Sequence, residues 1–571
     1  MESLHYLAVF LDGSALFFPL IVMFFVIGHR LRAQEKPFME GITQHRPTTL
    51  ARKGMVASPH YLASEAGLDV LKMGGNAVDA AIATSAMLQV VYPFVCGLGG
   101  DTFMLIYNAR EGNLYGLNGS GRSPQAATIE RYHELGYKKM PVFGMHTITV
   151  PGCADGWDVA SQRFGQLGLE RSLAPAITYA EEGFAMGPGL HAALNTAQGR
   201  PEVHRSWHTH FLPDGAIPAV GSIVRYPTLA HTLRTIARQG AREFYEGEIA
   251  AQIADFFARE GGLITRDDLA AHHSEWVQPL SVPFGDLRIY ELPPNTQGVT
   301  ALQMLGMQDR LPLGNHPLTG ETIHTEVEIK KLAFADRAAY LTDPAFMRVD
   351  PQALIEADYL TQRSQLVNAE QAQPSVAPGS FLGDTIYLCA ADQEGNVVSL
   401  IQSNYMGFGS GVVIDDAGIV LQNRGAYFSL DPAAANALAP RKRTLHTLIP
   451  SMALRDGRPV IVFGTMGGDG QAQTHLQVYT ALVRFGLNMQ EAIEMPRWVH
   501  GTDDQGGETL LMESRFPAST FEELRQKGHH VQEGAPWITA MGYAQGIFFD
   551  AANGIMQGGS DPRAEGVAAG W

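Results

Sequence analysis

Apolar residues recur at helical spacing in the first large part of the chain. They do so from His60 to Lys72 and stop at Gly74-Gly75, which predicts a helix that ends at glycine. Asn76 then predicts the N-cap of an Ala-rich, buried helix from Ala77 to about Val91. Further helices are predicted over 170–200, 227–260, 300–310 and 321–341, and strands over Thr102–Tyr107 and Phe284–Leu292.

The pattern changes near residue 385. Two apolar runs, Thr385–Ala391 and Val397–Ser403, are joined by a polar turn at 392–396, which predicts a β-hairpin. Later strands are predicted over Ile419–Gln422, Leu448–Leu454, Pro459–Gly464 and Ala540–Asp550, and helices over 472–485 and 518–528. Because the strands are grouped and the helices lie outside them, the pattern favours a layered α+β fold over alternating βαβ units.

The segment 368–383 separates these two parts. It is polar and contains Pro and Gly, a composition typical of an exposed segment that is readily cleaved. Directly after it, at Gly383-Asp384-Thr385, a Thr opens a buried strand. Cleavage before Thr385 would give that residue a free α-amino group, which can act as the base for its own hydroxyl. On this junction alone, a β-branched residue that simply begins a strand is the favoured explanation of Thr385.

Two glycine-rich turns follow the hairpin strands. Consecutive glycines at Gly464–Gly470, between a predicted strand and a helix, let backbone N–H groups converge and hold an oxyanion. A phosphate loop is disfavoured there because no Lys-Ser/Thr pair follows. The turn Gly407–Gly411 is a candidate pocket wall. Taken singly, each segment is better explained as an ordinary tight turn.

Composition narrows the class of protein. The 571 residues are 45% hydrophobic and 17% charged, which fits a large globular core. The net charge is −17 and the chain has no Lys/Arg run of the kind that follows phosphates, so no nucleic-acid partner is predicted. The cysteines form no CxxC pair and are expected to be buried in a reducing compartment; they are Cys96, Cys153 and Cys389. His204, His208 and His210 cluster without a carboxylate at ligand spacing, so neither a metal nor another cofactor is predicted.

Residues 1–47 are treated separately. Ala15–Gly28 is strongly apolar but short for a membrane span. Glu2 precedes this stretch and basic residues follow it, which opposes export and favours a cytoplasmic location. Three interpretations stay open: a mis-assigned start with the true one at Met39, an amino-terminal anchor, and a degenerate export signal.

Several motifs, in order, resemble the γ-glutamyltranspeptidase family of N-terminal nucleophile hydrolases. The resemblance runs from near Ala51 to Trp571. The motifs that carry it are Lys53–His60, Gly74–Ala81, Gly97–Asp101 and Gly559–Arg563.

The resemblance implies a four-layer αββα precursor that cuts itself between Asp384 and Thr385. The products would be a large subunit, 48–384, and a small subunit, 385–571, with a higher oligomer left open. It further implies that Thr385 is the nucleophile, Ser403 its supporting hydroxyl, and Gly467 with Gly468 the oxyanion hole. The expected reaction is acyl transfer through an ester on Thr385, from a small molecule to water or to an amine.

The chain departs from the family's pattern where the substrate binds. The positions that hold a γ-glutamyl α-amino group correspond to Tyr405, Arg424 and Tyr427 here, with no carboxylate among them. His446-Thr447 replaces the serine pair that grips the substrate carboxylate, and Arg122 lies close to the family's Arg. A site with added Arg or His and no carboxylate favours an anion over an ammonium group.

The sequence therefore predicts a small acidic amide without an α-amino group as substrate. The resemblance to one branch of the family suggests oxamate, hydrolysed to oxalate and ammonia in purine catabolism. Three alternatives remain: a glutathione hydrolase or γ-glutamyltransferase, an acylase for larger glutaryl-type amides with Tyr405, Phe408 and Tyr427 as an apolar wall, and a non-catalytic member.

Overall fold

Two seven-stranded antiparallel sheets pack face to face in this computed structural model. It describes residues 42–373, 384–502 and 507–571. The apolar stretch 15–28 and most of the segment 368–383 lie outside these residues. Within the described part of the chain, no helix is long and apolar enough to cross a membrane. The cytoplasmic location stays a prediction.

The first sheet, here called sheet I, contains strands from both ends and from the middle of the described chain. Its strands, in spatial order, are Thr49–Ala51, Ile555–Ser560, Ala544–Asp550, Arg458–Thr465, Ser451–Arg455, Leu287–Glu291 and Leu280–Phe284.

The second sheet, sheet II, has the predicted hairpin near its centre. Its strands, in spatial order, are Val567–Gly570, Met55–Ser58, Asp384–Ala391, Val397–Tyr405, Asp101–Asn108, Asn113–Gly119 and Glu275–Val277.

Helices cover the outer face of each sheet. Tyr61–Lys72, Ala77–Val91 and Cys153–Phe164 pack on sheet II. Gly298–Gln308, Gly470–Val483 and Met489–Glu494 pack on sheet I, and Gly320–Tyr340 packs on Gly298–Gln308. The remaining helices are Ile129–Glu134, Gly168–Ser172, Ala174–Glu182, Pro188–Gln198, Arg205–Phe211, Pro227–Gln239, Arg242–Tyr245, Glu248–Glu260, Arg266–Ala270, Ala357–Ser364 and Ala518–Gln526. The order of layers is helix, sheet, sheet, helix, which confirms the predicted αββα architecture.

Strand alternation decides which side chains lie between the sheets. Tyr387 and Cys389 join the core between the sheets, whereas Ile386 and Leu388 join the core under the helices. Since successive strand side chains point to opposite faces, Thr385 belongs to the same face as Tyr387. The Thr385 side chain is therefore directed into the space between the sheets.

Most predicted elements are confirmed, and one needs correction. Asn76 caps Ala77–Val91 in a capping box with Asp79, as the sequence suggested. The strand predicted over Phe284–Leu292 begins later, at Leu287, because Gly285, with φ +60°, makes a turn that joins it to the preceding strand, Leu280–Phe284. Gly285 and Asp286 are residue types that disfavour the interior of a strand and favour a turn, so a turn forms there despite the apolar residues on both sides.

The predicted burial of the cysteines is confirmed, since all three are buried free thiols. His204 caps the helix Arg205–Phe211, whereas the ring of His210 stacks on Tyr226 with centroids 5.1 Å apart. These rings thus serve separate packing and capping roles.

Candidate active site

Thr385 lies in an irregularity between the two central strands of sheet II. Asp384 pairs with Tyr405 and Ile386 with Gln402, so two residues of the second strand, Ser403 and Asn404, face Thr385. The Thr385 side chain is fully buried. The bulge therefore sets its hydroxyl into the space between the sheets.

Among the described residues, two side chains form hydrogen bonds with the Thr385 hydroxyl. It donates a hydrogen bond to Ser403 Oγ at 3.2 Å, and Gln471 Nε2 donates to it at 3.4 Å. Ser403 Oγ also accepts from the backbone N–H of Tyr405 at 2.7 Å. Tyr405 adopts φ +81°, which is rare outside glycine, so the chain turns sharply directly after the bulge. The hydrogen bond from the Tyr405 N–H fixes the serine hydroxyl beside the threonine.

The glycine turn comes from sheet I, opposite Thr385. Gly467 (φ +132°) and Gly468 (φ +55°) join the strand Arg458–Thr465 to the helix Gly470–Val483. No backbone carbonyl of the described chain accepts a hydrogen bond from either glycine N–H. Gln297 Nε2 holds the turn by donating to Gly468 O at 3.0 Å. Two unused donors at the start of a helix suit a developing negative charge.

Arg424 is a buried cation with spare donors. Its side chain is 1% exposed, its guanidinium lies 4.2 Å from the ring centre of Tyr405, and its Nη1 donates to Thr447 Oγ1 at 3.0 Å. Nε and Nη2 have no hydrogen-bond partner among the described residues. Burial lowers the pKa of Arg424 to about 10, so the group stays charged at neutral pH. A buried charge with two open donors favours an anionic ligand.

A carboxylate lies beside Tyr427 that the sequence analysis did not anticipate. The Tyr427 hydroxyl donates to Asp469, and Arg337 Nη1 lies 2.6 Å from the same carboxylate oxygen. Burial by itself would raise the pKa of Asp469, but the charge of Arg337 and these hydrogen bonds hold it below its usual value. Because Arg337 already balances this charge, Asp469 offers little to a substrate ammonium group.

His446 is buried and its side chain contacts Asp101. Its Nε2 lies 3.0 Å from Asp101 Oδ2. Burial, with a contribution from Arg424, lowers the pKa of His446 well below its usual value, and burial raises the pKa of Asp101 to about 6. Near neutral pH, His446 is an uncharged donor to the Asp101 carboxylate. The expectation that His446 adds positive charge for a substrate is therefore corrected.

Two further predicted residues have other partners. Arg122 pairs with Asp343 at 2.9 Å and with Glu275 at 3.1 Å. Its charge is thus already balanced by two carboxylates. Phe408, expected in an apolar pocket wall, packs instead into the core beneath the helices, with ring centroids 4.9 Å from Phe211 and 5.2 Å from Trp207.

Comparison with known proteins gives the family. The family model described as gamma-glutamyltranspeptidase matches residues 63–571. The chain belongs to the γ-glutamyltranspeptidase family. Its membership, together with its hydrolase relatives, makes it an amidohydrolase of the N-terminal nucleophile class and confirms the fold expected from the resemblance.

Three relatives illustrate the range of this family. The chain is 40% identical over 534 residues to the glutathione hydrolase-like YwrD proenzyme of Bacillus subtilis (92% of this chain, 99% of the relative). It is 40% identical over 537 residues to the oxamate amidohydrolase proenzyme of Klebsiella pneumoniae, with the same coverage. It also superposes on the cephalosporin acylase of Bacillus halodurans with a TM-score of 0.87 at 41% identity, covering 94% of this chain and 98% of the other.

Sequence reasoning missed several polar residues that shape this γ-glutamyltranspeptidase site. Asp469 and Gln471 lie in or next to the glycine turn, so the turn itself was the available signal. Asp101 ends the quoted motif Gly97–Asp101, where a carboxylate after glycines could have drawn attention. Gln297 and Arg337 carry no local signal, because each reaches the site only through the fold.

Proposed function

We propose that the chain processes itself by cleavage of the bond between Asp384 and Thr385. Thr385 Oγ attacks the Asp384 carbonyl carbon, and the peptide bond becomes an ester as the nitrogen is released as the Thr385 amine. Water then hydrolyses the ester, which frees the hydroxyl and leaves residues 48–384 and 385–571 as two subunits. The buried Thr385 hydroxyl, 3.2 Å from Ser403 Oγ, supports this assignment.

The mature enzyme would use the same hydroxyl on an amide substrate. The free amine of Thr385 takes the hydroxyl proton while Oγ attacks the amide carbonyl. The N–H groups of Gly467 and Gly468 are the proposed donors to the oxyanion that forms. The amine returns the proton to the leaving nitrogen, ammonia departs, and water then releases the acid from the ester on Thr385.

We infer that the substrate is a small acidic amide without an α-amino group, with oxamate as the first candidate. The observation that carries this inference is the pair of unpartnered nitrogens on buried Arg424. A carboxylate bound there would complete its hydrogen bonding and balance its charge. Asp469, the nearby carboxylate, is already paired with Arg337. The 40% identity to an oxamate amidohydrolase adds independent support.

The test has two stages. The intact mass of the purified protein should give two fragments that meet between Asp384 and Thr385, while a Thr385→Ala variant should stay as one chain. Ammonia release from oxamate should then be fast with the cut protein and absent with the variant. A folded wild-type protein that remains a single chain under these conditions would overturn the assignment of Thr385.

An acylase for larger amides is the second candidate, because the chain is 41% identical to the structure described as a cephalosporin acylase. Tyr405 and Tyr427, with ring centroids 5.7 Å apart, would supply an apolar surface for it. A glutaryl amide and γ-glutamyl-p-nitroanilide should therefore be assayed beside oxamate. Faster turnover of either one would displace the small-amide proposal while leaving Thr385 in place.

A further inference from the structure

Three potential metal ligands meet in a buried place on the helical layer beside sheet I. His324 and Glu328 lie one turn apart on the helix Gly320–Tyr340, so their side chains share a face. His529 joins them from the chain just after the helix Ala518–Gln526. All three are buried, with exposed fractions of 1%, 3% and 6%, and one ligand atom of each lies within 4.8 Å of the other two.

The hydrogen bonds of His324 fix which ring nitrogens carry protons. His324 Nε2 lies 2.7 Å from the carbonyl oxygen of Asn368, which can only accept, so Nε2 holds the hydrogen of the neutral ring. The bare nitrogen, Nδ1, lies 2.8 Å from His529 Nε2. A backbone carbonyl that orients one nitrogen of a histidine and leaves the other free is the usual outer partner of a metal-binding imidazole.

A cavity of about 240 Å³ adjoins His529 and is lined also by Lys331, His500 and Glu508. It offers room for a water molecule as a fourth ligand.

The ammonium group of Lys331 would compete with a metal ion for the Glu328 carboxylate. Lys331 Nζ lies 2.7 Å from Glu328 Oε1 and also donates to the carbonyl of Gln373 at 2.5 Å. In the described part of the chain, the other Glu328 oxygen accepts only from the Gln373 N–H, at 3.1 Å. Lys331 can keep its bond to the Gln373 carbonyl when the carboxylate turns to a metal, but its charge weakens the site. Affinity should therefore be modest rather than that of a structural zinc site.

We propose that His324, Glu328 and His529 form a binding site for a divalent transition-metal ion, with Zn²⁺ as the preferred ion. Two nitrogen ligands and one carboxylate with an open fourth position are a set that Zn²⁺ accepts. With Zn–N bonds of about 2.0 Å, tetrahedral ligands lie about 3.3 Å apart, so the two rings part slightly and the carboxylate closes in. The hydrogen on His529 Nε2 moves to Nδ1 of the same ring, and no proton is released. The ion would link segments on either side of residue 384, whether or not the chain is cut there.

Equilibrium dialysis of the untagged full chain against Zn²⁺, followed by metal analysis, tests the site directly. About one ion per chain is expected to bind, and Zn²⁺ should raise the Tm. His529→Gln, which keeps a hydrogen-bonding side chain, should bind at least about tenfold more weakly. His530→Gln is the matched control, because His530 lines the same cavity but is outside the ligand set. Circular dichroism establishes that both variants fold.

A second variant uses the competing lysine. Lys331→Gln removes the ammonium group beside Glu328 and should tighten Zn²⁺ binding, which a purely structural cluster would not do. The proposal is overturned when the wild-type chain retains no Zn²⁺, when His529→Gln binds as tightly as the wild type, or when the loss of Lys331 weakens binding. None of these measurements depends on the activity of Thr385, so the metal site and the proposed hydrolase function fail separately.

Discussion

Replacement of Arg424 by Gln tests the proposed substrate charge most directly. The change removes the two guanidinium nitrogens, Nε and Nη2, that have no partner among the described residues. Each hydrogen bond between charged groups contributes about 1.5–3 kcal/mol, so two give about 3–6 kcal/mol. At about 1.4 kcal/mol per tenfold change, kcat/KM for oxamate should fall by about 10² to 10⁴.

The assay compares two substrates with the same reacting amide. Ammonia release is measured with oxamate and with oxamide, its uncharged analogue, for the wild type and for Arg424→Gln. The loss should be confined to oxamate, because oxamide has no carboxylate to bind. The intact mass of the variant must first show that it is cut, and its Tm must stay close to that of the wild type, since Nη1 also holds Thr447.

An equal loss on both substrates would refute the reasoning, because Arg424 would then act on the fold or on the amide itself. Arg122→Gln separates the two candidate arginines. Arg122 is already paired with Asp343 and Glu275, so its removal should change kcat/KM for oxamate far less. If Arg122→Gln gave the larger and oxamate-selective loss, the substrate carboxylate would be assigned to the wrong arginine.

Three other changes address processing, the oxyanion and pH. Thr385→Ser keeps a hydroxyl and should still be cut, more slowly than the wild type, whereas Thr385→Ala should remain uncut; both are followed by intact mass over time. Gly467→Ala places a side chain on a residue with φ +132° and should disturb the proposed oxyanion donors. The ammonia assay should then show kcat lowered by about 10²–10³. An unchanged kcat would show that this turn does not stabilise the oxyanion. Burial raises the pKa of Asp101 from 3.8 to about 6, so the folded chain holds the Asp101 proton more tightly than the unfolded chain does. This difference adds about 3 kcal/mol to the free energy of unfolding below pH 3.8, and the added stability is lost as the pH rises through 6. Urea unfolding in the uncut Thr385→Ala background should show that Asp101→Asn removes this difference between pH 4 and pH 7, and an equal pH dependence in both chains would contradict the buried, raised pKa.

Local signals in the sequence predicted much of the fold. The capping residue Asn76 and the apolar run after it specify a helix without help from distant residues, and the structure has that helix. The hairpin of Thr385–Ala391 and Val397–Ser403 also follows from strand alternation and a polar turn. The turn at Gly285 was missed because the apolar residues on both sides looked continuous.

The site was harder to predict, since its polar residues meet only in three dimensions. Thr385 and Gly467 each lie at a local landmark, a linker end and a glycine turn. Arg337, by contrast, sits in the middle of a helix and reaches Asp469 across 132 positions of sequence. His529 lies 205 positions from His324, so the helical spacing of His324 and Glu328 was visible while the third ligand was not.

The hydrogen-bond donors without partners in the site indicate the charge of its ligand more clearly than the charged side chains do. Buried polar groups are normally satisfied, and other unpartnered atoms exist in the described core, such as single nitrogens of Arg337 and Arg497. Among the described buried arginines, only Arg424 has two solvent-inaccessible nitrogens without a hydrogen-bond partner. Leaving a cation in that state costs several kcal/mol, which a bound carboxylate would offset. Asp469 is the reverse case, since Arg337 and Tyr427 already occupy it. A γ-glutamyl ammonium group would have to share the charge of Asp469 with Arg337, whereas the carboxylate of a small acid would supply the partners that Arg424 lacks.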